Sequence, residues 1–327
     1  MLAKIVLSTP IASDAIAAAL HQTGLFAPVI VSDKTDAVTA LDGAHGLVVG
    51  GLNYEELLPA LKVAPHCLHW IQSTASGTDR FERLGIPPGI TFVRSGGVLG
   101  PAVACHALAL LLALMRAIPD SITGMAERGW HHDRQRQVLR TPAGRSVLLL
   151  GYGDIGQAIA ASLDTMGARL RIVASRARTE SKGRRIYGID QLDMLLPDCE
   201  VVILALPSNA GTANLLHAGR IAMLQPGSLI VNVGRGDVMD EDALIAALRS
   251  NHLGGAGLDV FHEEPVPSQS RLWECPNLIM TPHVGGMGDL TVGDRLARLI
   301  TDKAVQMARG EDPDGVLPMP PFSFPQG

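Results

Sequence analysis

The sequence predicts an α/β fold of two doubly wound parallel-sheet domains. Three observations predict it. The chain has 327 residues, more than a single compact core usually organises. Short apolar strands alternate with helical stretches through about the first hundred residues. A second series of the same kind opens at SVLLLGYGDIG, residues 146–156, with a strand, a glycine turn and the start of a helix. That arrangement makes the predicted domains Rossmann-like, with a cleft between them.

Bulk composition agrees. Apolar residues make up 47% and charged residues 18%, which is globular composition. The net charge of −5 argues against a nucleic-acid or anionic-membrane partner. Cys67, Cys105, Cys199 and Cys275 are scattered without a CxxC pair, which suits reduced thiols in the cytoplasm. MLAKIVLSTP reads as a strand, not a secretory signal.

The elements follow in order. KIVLST (4–9) reads as a strand and DAIAAALHQTG (14–24) as a helix closed by Gly24. VIVS (29–32), GLVVG (46–50) and LHWIQST (68–74) read as strands, with EELLPALKVAP (55–65) as a helix among them. PAVACHALALLLALMRAIP (101–119) is almost continuously apolar and begins with a first-turn proline. It contains His106 and Arg116, so it reads as a helix over 101–118 buried between domains, not as a membrane span. ERGWHHDRQRQVLRTPAGR (127–145) lacks an apolar stripe and reads as a connector or arm. RLRIVASR (169–176), EVVILALP (200–207), SLIVNVGRG (228–236), GGAGLDVF (254–261) and NLIMTPHVGG (277–286) read as further strands. DALIAALRSNHLGG (242–255) reads as a helix with a glycine stop. A last helix, about 289–309, is expected to run back onto the first unit, and the proline-rich tail to be extended or frayed.

The glycine turn carries Gly151, Gly153 and Gly156. The first permits a tight turn, the second lets backbone approach a pyrophosphate, and the third allows close helix–strand packing. Amides near Asp154 and Ile155 would face the anion at the helix N-terminus. A dinucleotide is therefore expected here. An NAD site usually places an acid about 20 residues further on. RIVASRAR instead has Ser175 and Arg176, with Arg178 beside them. A hydroxyl and guanidinium groups suit a 2′-phosphate, so NADP(H) is expected ahead of NAD(H).

Three polar groups stand at or beyond strand ends: Arg235 in VNVGRG, Glu264 in DVFHEEP and His283 in TPHVGG. Ligands of doubly wound sheets sit beyond those ends, so the three are expected to converge. Their chemistry fits hydride transfer to a 2-keto acid. Arg235 would hold the carboxylate and polarise the carbonyl. His283 would protonate the developing alkoxide, with Glu264 favouring the charged imidazole.

The same residues carry a family resemblance. GYGDIGQAIA, LPSNAGT, MLQPGSLIVNVGRGDVMDEDALIAAL, GAGLDVFHEEP and NLIMTPHVGG, in that order, resemble the D-isomer-specific 2-hydroxyacid dehydrogenases over nearly the whole chain. The resemblance implies that Arg235, Glu264 and His283 are the catalytic Arg, Glu and His. The family's acid immediately precedes the proline, which selects Glu264 and leaves Glu263 to solvent. Leu206, Pro207, Thr212, Val233, Gly234 and Gly285 would line the cofactor, and Asp259 would lie near the nicotinamide carboxamide. STASGTDRF (73–81) resembles the substrate-carboxylate loop, with backbone amides at Ser76 and Gly77.

The resemblance also implies a division. A flavodoxin-like substrate domain would comprise 1–98 plus 288–327, and a dinucleotide-binding domain 99–287. A homodimer is implied, with the stretch around Trp130 at its contact. The implied activity is reduction of a small keto acid such as glyoxylate or hydroxypyruvate. Oxidation of a hydroxy acid such as phosphoglycerate with NAD, or a corepressor-like NAD(H) sensor, are the alternatives.

Two departures bear on specificity. Cys105 stands where the family often has glutamate, and Arg94 where it often has asparagine. His106 reads as a packing residue. The His131–His132 pair has no further ligands to complete a metal site, and no metal is expected.

Overall fold

The computed structural model describes residues 2–63, 67–75, 77–130, 132, 138–180 and 183–319. The chain divides into two compact units, Met1–Leu99 with Asp289–Gly327, and Gly100–Gly288.

Unit 1 is built on strands β1 (Ala3–Ser8), β2 (Phe26–Ile30), β3 (Gly46–Val49), β4 (Trp70–Ser73) and β5 (Thr91–Val93), in the order β5-β4-β3-β1-β2. These pair in parallel, and Val316–Leu317 adds antiparallel to β5. The strand order reverses at β1, as in flavodoxin-like sheets. β3 and β4 are buried throughout because helices cover both faces of a parallel sheet. The core joins Val6, Leu47, Tyr54, Ile71, Phe81 and Phe92. Helix α1 (Ser13–Gln22) packs against the helix Val292–Ala308, which accounts for the return of the chain to this unit. Gly24 follows α1 at φ +68°, a left-handed position that favours glycine.

Several boundaries differ from the sequence reading. β2 starts at Phe26 and includes Pro28, which an edge strand tolerates because its outward N–H has no ladder partner. Helix α2 (Lys34–Ala40) was not anticipated; it is capped by Asp33, whose carboxylate accepts the Asp36 amide at 2.9 Å. Helix α3 covers Gly51–Val63, with Pro59 inside it, and α4 covers Asp79–Leu84.

Unit 2 opens with α5 (Gly100–Met115) and α6 (Ile118–Glu127). The single helix expected over 101–118 therefore ends early. Ala117 adopts φ +52°, and the two axes bend by 59°. Pro119 is the cause: it lacks an N–H and would clash with the carbonyl one turn back. Among the described residues no single helix is long and apolar enough to cross a membrane.

The unit-2 strands are β6 (Ser146–Leu150), β7 (Arg169–Ala174), β8 (Arg178–Thr179), β9 (Arg185–Gly188), β10 (Val201–Leu204), β11 (Ser228–Asn232), β12 (Leu253–Leu258) and β13 (Leu278–Met280). Their order is β13-β12-β11-β10-β6-β7-β9-β8. All pairs are parallel except the β8–β9 hairpin, which the sequence reading missed. The order reverses at β6, the strand that leads into Gly151. Helix α7 (Asp154–Thr165) follows that turn.

The glycines of β12 explain how α5 is seated. A Cβ on Gly257 would lie 2.9 Å from Leu110 Cβ, and one on Gly255 would lie 3.0 Å from Leu114 Cδ2. Side chains on that strand would lift α5 off the sheet. The close approach brings His106, one turn before Leu110, to the exits of β12 and β13.

Candidate active site

The glycine turn divides its labour. Gly151 has φ +104°, and a Cβ there would run into the Ala205 carbonyl. A Cβ on Gly156 would run into the Gly151 carbonyl. Both glycines are demanded by the protein's own packing. Gly153 is different: a Cβ there meets nothing within 4 Å. It opens onto the N-terminus of α7, whose first amides have no partner within the helix. That open cradle, which a side chain would fill, fits a pyrophosphate.

The β7 exit places Ser175 and Arg176 on the surface beside this turn. Next to them, the Arg178 guanidinium lies 5.6 Å from the Tyr152 ring centroid. The Tyr152 hydroxyl donates to Glu180 at 3.0 Å. Burial, with Glu180 adding to it, pushes the Tyr152 phenol up. A depression of about 910 Å³ here is lined by Tyr152, Arg178, Glu180, Arg184 and Tyr187 among others. It is remote in sequence from the Arg–Glu–His group and does not include Ser175 or Arg176. Sequence reasoning missed the pairing of Tyr152 with Glu180, because the β8–β9 hairpin that carries Glu180 close has no apolar alternation to mark it.

Exits of β10 and β11 are fitted together. A Cβ on Gly234 would lie 2.6 Å from the Leu206 carbonyl oxygen. Thr212 donates to the Pro207 carbonyl at 2.7 Å and accepts the Asn209 amide at 2.9 Å, so the loop closes on itself. The Ser208 hydroxyl donates to Asp237, which ties that loop to the segment after Arg235. Buried Asn232 donates to the Arg235 carbonyl at 2.9 Å and accepts the Gly234 amide at 3.0 Å. The turn carrying Val233, Gly234 and Arg235 is thereby braced from beneath.

Arg235, Glu264 and His283 follow β11, β12 and β13. Glu264 accepts the Phe261 amide through Oε1 at 2.9 Å, and its Oε2 lies 2.7 Å from His283 Nδ1. Burial pushes the Glu264 carboxyl up. Hydrogen bonds from His283 and Phe261, with the charges of His283 and Arg235, outweigh burial and hold it below the usual carboxylate range. The Arg235 charge is the last and smallest of these influences. Glu263 is exposed. Gly236 keeps the Arg235 segment against the Glu264 loop, since a Cβ there would overlap the Phe261 carbonyl.

His283 itself has φ +54°, a left-handed conformation that costs a non-glycine residue about 1–2 kcal/mol. Its amide donates to the Thr281 carbonyl at 2.9 Å. Asp259, 2% exposed, accepts the Val284 amide at 3.0 Å and the Gly285 amide at 2.8 Å. A Cβ on Gly285 would lie 2.8 Å from Asp259 Oδ2, so only glycine allows this approach. Asp259 is thus engaged chiefly with the loop that presents His283.

Gly77 lies in unit 1 between β4 and α4, while Ser76 falls outside the described residues. His131 also lies outside them, and among the described residues no group of three His, Cys, Asp or Glu side chains is placed to hold a metal.

Residues 108–285 match the sequence model of the D-isomer specific 2-hydroxyacid dehydrogenase, NAD binding domain. A glyoxylate reductase from Pyrococcus furiosus is 31% identical over 235 residues, covering 69% of this chain and 68% of that one. A D-3-phosphoglycerate dehydrogenase from Synechocystis sp. is 36% identical over 201 residues, 60% of this chain. That match spans 35% of the phosphoglycerate dehydrogenase's own length. Among solved structures, a D-isomer specific 2-hydroxyacid dehydrogenase family protein from Aeromonas salmonicida superposes with a TM-score of 0.85 at 28% identity. It covers 97% of this chain and 99% of its own.

Proposed function

The chain belongs to the D-isomer specific 2-hydroxyacid dehydrogenase family and is an NAD(P)-dependent oxidoreductase of that type; from that premise we propose that it reduces a small 2-keto acid to the 2-hydroxy acid, with NADPH preferred. The observation that carries the reading is the 2.7 Å contact between His283 and Glu264 in the field of Arg235. When bound, the nicotinamide supplies the hydride. Arg235 holds the substrate carboxylate and polarises the neighbouring carbonyl. Glu264 engages Nδ1 of His283, which leaves Nε2 as the nitrogen that delivers a proton to the developing alkoxide.

Under this proposal Gly151, Gly153, Asp154, Ile155 and Gly156 cradle the pyrophosphate, and Ser175 with Arg176 takes the 2′-phosphate. Leu206, Pro207, Thr212, Val233 and Gly234 line the cofactor. Asp259 Oδ2 accepts one backbone amide and keeps acceptor capacity for the carboxamide. Gly77 keeps its assignment to the substrate carboxylate. Glyoxylate or hydroxypyruvate is the substrate class, supported by the similarity to a glyoxylate reductase. The exposure of Ile122, Met125 and Trp130 supports a homodimer.

NADPH and NADH consumption with a panel of small 2-keto acids tests the reading. Turnover with glyoxylate or hydroxypyruvate that is lost in His283→Ala is expected; the absence of turnover with every acid overturns it. The similarity to a phosphoglycerate dehydrogenase favours a second reading, NAD-dependent oxidation of a hydroxy acid. NADH formation from phosphoglycerate, exceeding any keto-acid reduction, would select it.

A further inference from the structure

His106 sits on α5, a helix whose residues are otherwise small or apolar, beside exposed Cys105. Its ring is more than packing. Nε2 lies 2.8 Å from Thr281 Oγ1 and 3.3 Å from Asp259 Oδ1. Thr281 Oγ1 in turn lies 2.6 Å from Asp259 Oδ1. A hydroxyl has one proton, and both oxygens of Asp259 already act as acceptors, from the Val284 and Gly285 amides. Thr281 therefore donates to Asp259 and accepts from His106, which places the imidazole proton on Nε2.

The same carboxylate collects the amides of Val284 and Gly285. His283 is flanked on both sides by residues tied to Asp259: Thr281 before it, Val284 and Gly285 after it. Between those ties its backbone is held at φ +54°. Gly285 also runs close to His106, since a Cβ there would lie 3.3 Å from His106 Cδ2. One turn along α5, Leu110 is seated on Gly257, so the helix position that carries His106 is set by the sheet.

We propose that His106 is a positioning residue for His283, acting through Thr281 and Asp259 to hold the 281–285 loop in the conformation that turns Nδ1 toward Glu264. This rests on His283 being the proton donor. His106 touches neither substrate nor cofactor in this role. Its removal frees the Thr281 hydroxyl to turn away from Asp259, for instance toward the Leu258 carbonyl, 3.4 Å distant. The loop then has a second arrangement, and the population with His283 aimed at Glu264 falls.

The test compares His106→Leu with His106→Gln, whose terminal amide replaces the Nε2 donor. Keto-acid reduction is followed with NADPH, with fluorescence titration of NADPH and thermal melting as controls. His106→Leu is expected to lower kcat by roughly 10- to 100-fold, the range in which misplacement of a reacting group is felt. NADPH affinity should stay within about threefold, and His106→Gln should restore most of kcat. Wild-type kcat in His106→Leu, or a Gln variant as impaired as the Leu variant, overturns the proposal. If His106→Leu does not fold, Thr281→Val against Thr281→Ser carries the same contrast: loss in the first and recovery in the second support it, and equal kcat in both overturns it. Full turnover in His283→Ala would instead sink the proton-donor reading, so the two failures are distinguishable.

Discussion

Glu264 and His283, 19 residues apart in the sequence, meet at 2.7 Å between Oε2 and Nδ1. The carboxylate is held from its other oxygen by the Phe261 amide, so it approaches the ring in one orientation. An acceptor on Nδ1 selects the ring orientation and leaves Nε2 as the free nitrogen of the ring's other edge. Under the proposed reduction, Glu264→Ala removes that acceptor and should lower kcat by roughly 10- to 100-fold, the range in which misplacement of a reacting group is felt. Glu263→Ala removes no contact with His283 and should leave kcat in place. Keto-acid reduction followed with NADPH checks this; a loss in the Glu263 variant and none in the Glu264 variant would reverse the assignment.

Glu264 also links stability to pH. Its carboxyl is held below its ordinary value in the folded chain, so it stabilises the fold above the unfolded value. That contribution disappears as pH falls through the depressed folded value. Wild type should therefore lose stability on acidification in a way that Glu264→Gln does not. Urea midpoints taken in steps from neutral pH down to roughly pH 2 make the comparison. Parallel losses in both proteins would show that the His283 contact does not favour the ionised carboxylate.

The three glycines of the turn should separate in their effects. Gly153→Ala meets no neighbouring atom within 4 Å and should melt like wild type without cofactor. It should weaken dinucleotide binding by roughly tenfold, because the methyl occupies the space a pyrophosphate would take. Gly151→Ala has both a left-handed φ and an obstructing Ala205 carbonyl, and should lower the melting point outright. Melting curves with and without NADPH distinguish these outcomes. Unimpaired binding in Gly153→Ala would remove the pyrophosphate from this turn.

Gly236 should be as sensitive as the side chains proposed to be catalytic although it carries no chemistry. A methyl there overlaps the Phe261 carbonyl, which is backbone and has little freedom to move. Overpacking of this kind costs about 1–3 kcal/mol. Gly236→Ala should lower the urea midpoint and also kcat/KM, because the shift separates Arg235 from Glu264. An unchanged midpoint would mean that the two segments are not held in contact.

Legibility in the sequence followed the range of the interaction. The glycine turn was readable because strand, turn and helix are contiguous. The placement of Asp259, Glu263 and Glu264 just beyond β12 was readable because the apolar run before them marks a strand; their roles belong to the proposed function. The break between α5 and α6 was missed because the apolar run masks Pro119. The β8–β9 hairpin was missed because its charged residues carry no apolar alternation. The contact of His106 with Thr281 spans 175 residues, and a histidine on an apolar helix gives no sign of its partner. Only the seating of α5 on glycines 255 and 257 brings the two together.

The cofactor's phosphate preference should reside in one side chain more than its neighbours. Arg176 is exposed immediately after β7, in the region where an NAD site would carry an acid. Arg178 is committed to the Tyr152 ring, and Arg184 is paired with Asp164. A guanidinium bonded to a 2′-phosphate contributes about 1–2 kcal/mol at a solvated site, which corresponds to roughly 5- to 30-fold in KM. Arg176→Ala should therefore raise the KM for NADPH by that factor and leave the KM for NADH unchanged. Raising salt should weaken NADPH binding in wild type and have less effect in the variant, since screening acts on the lost charge. Equal changes for both cofactors would assign Arg176 to the shared part of the dinucleotide and leave the preference to Ser175.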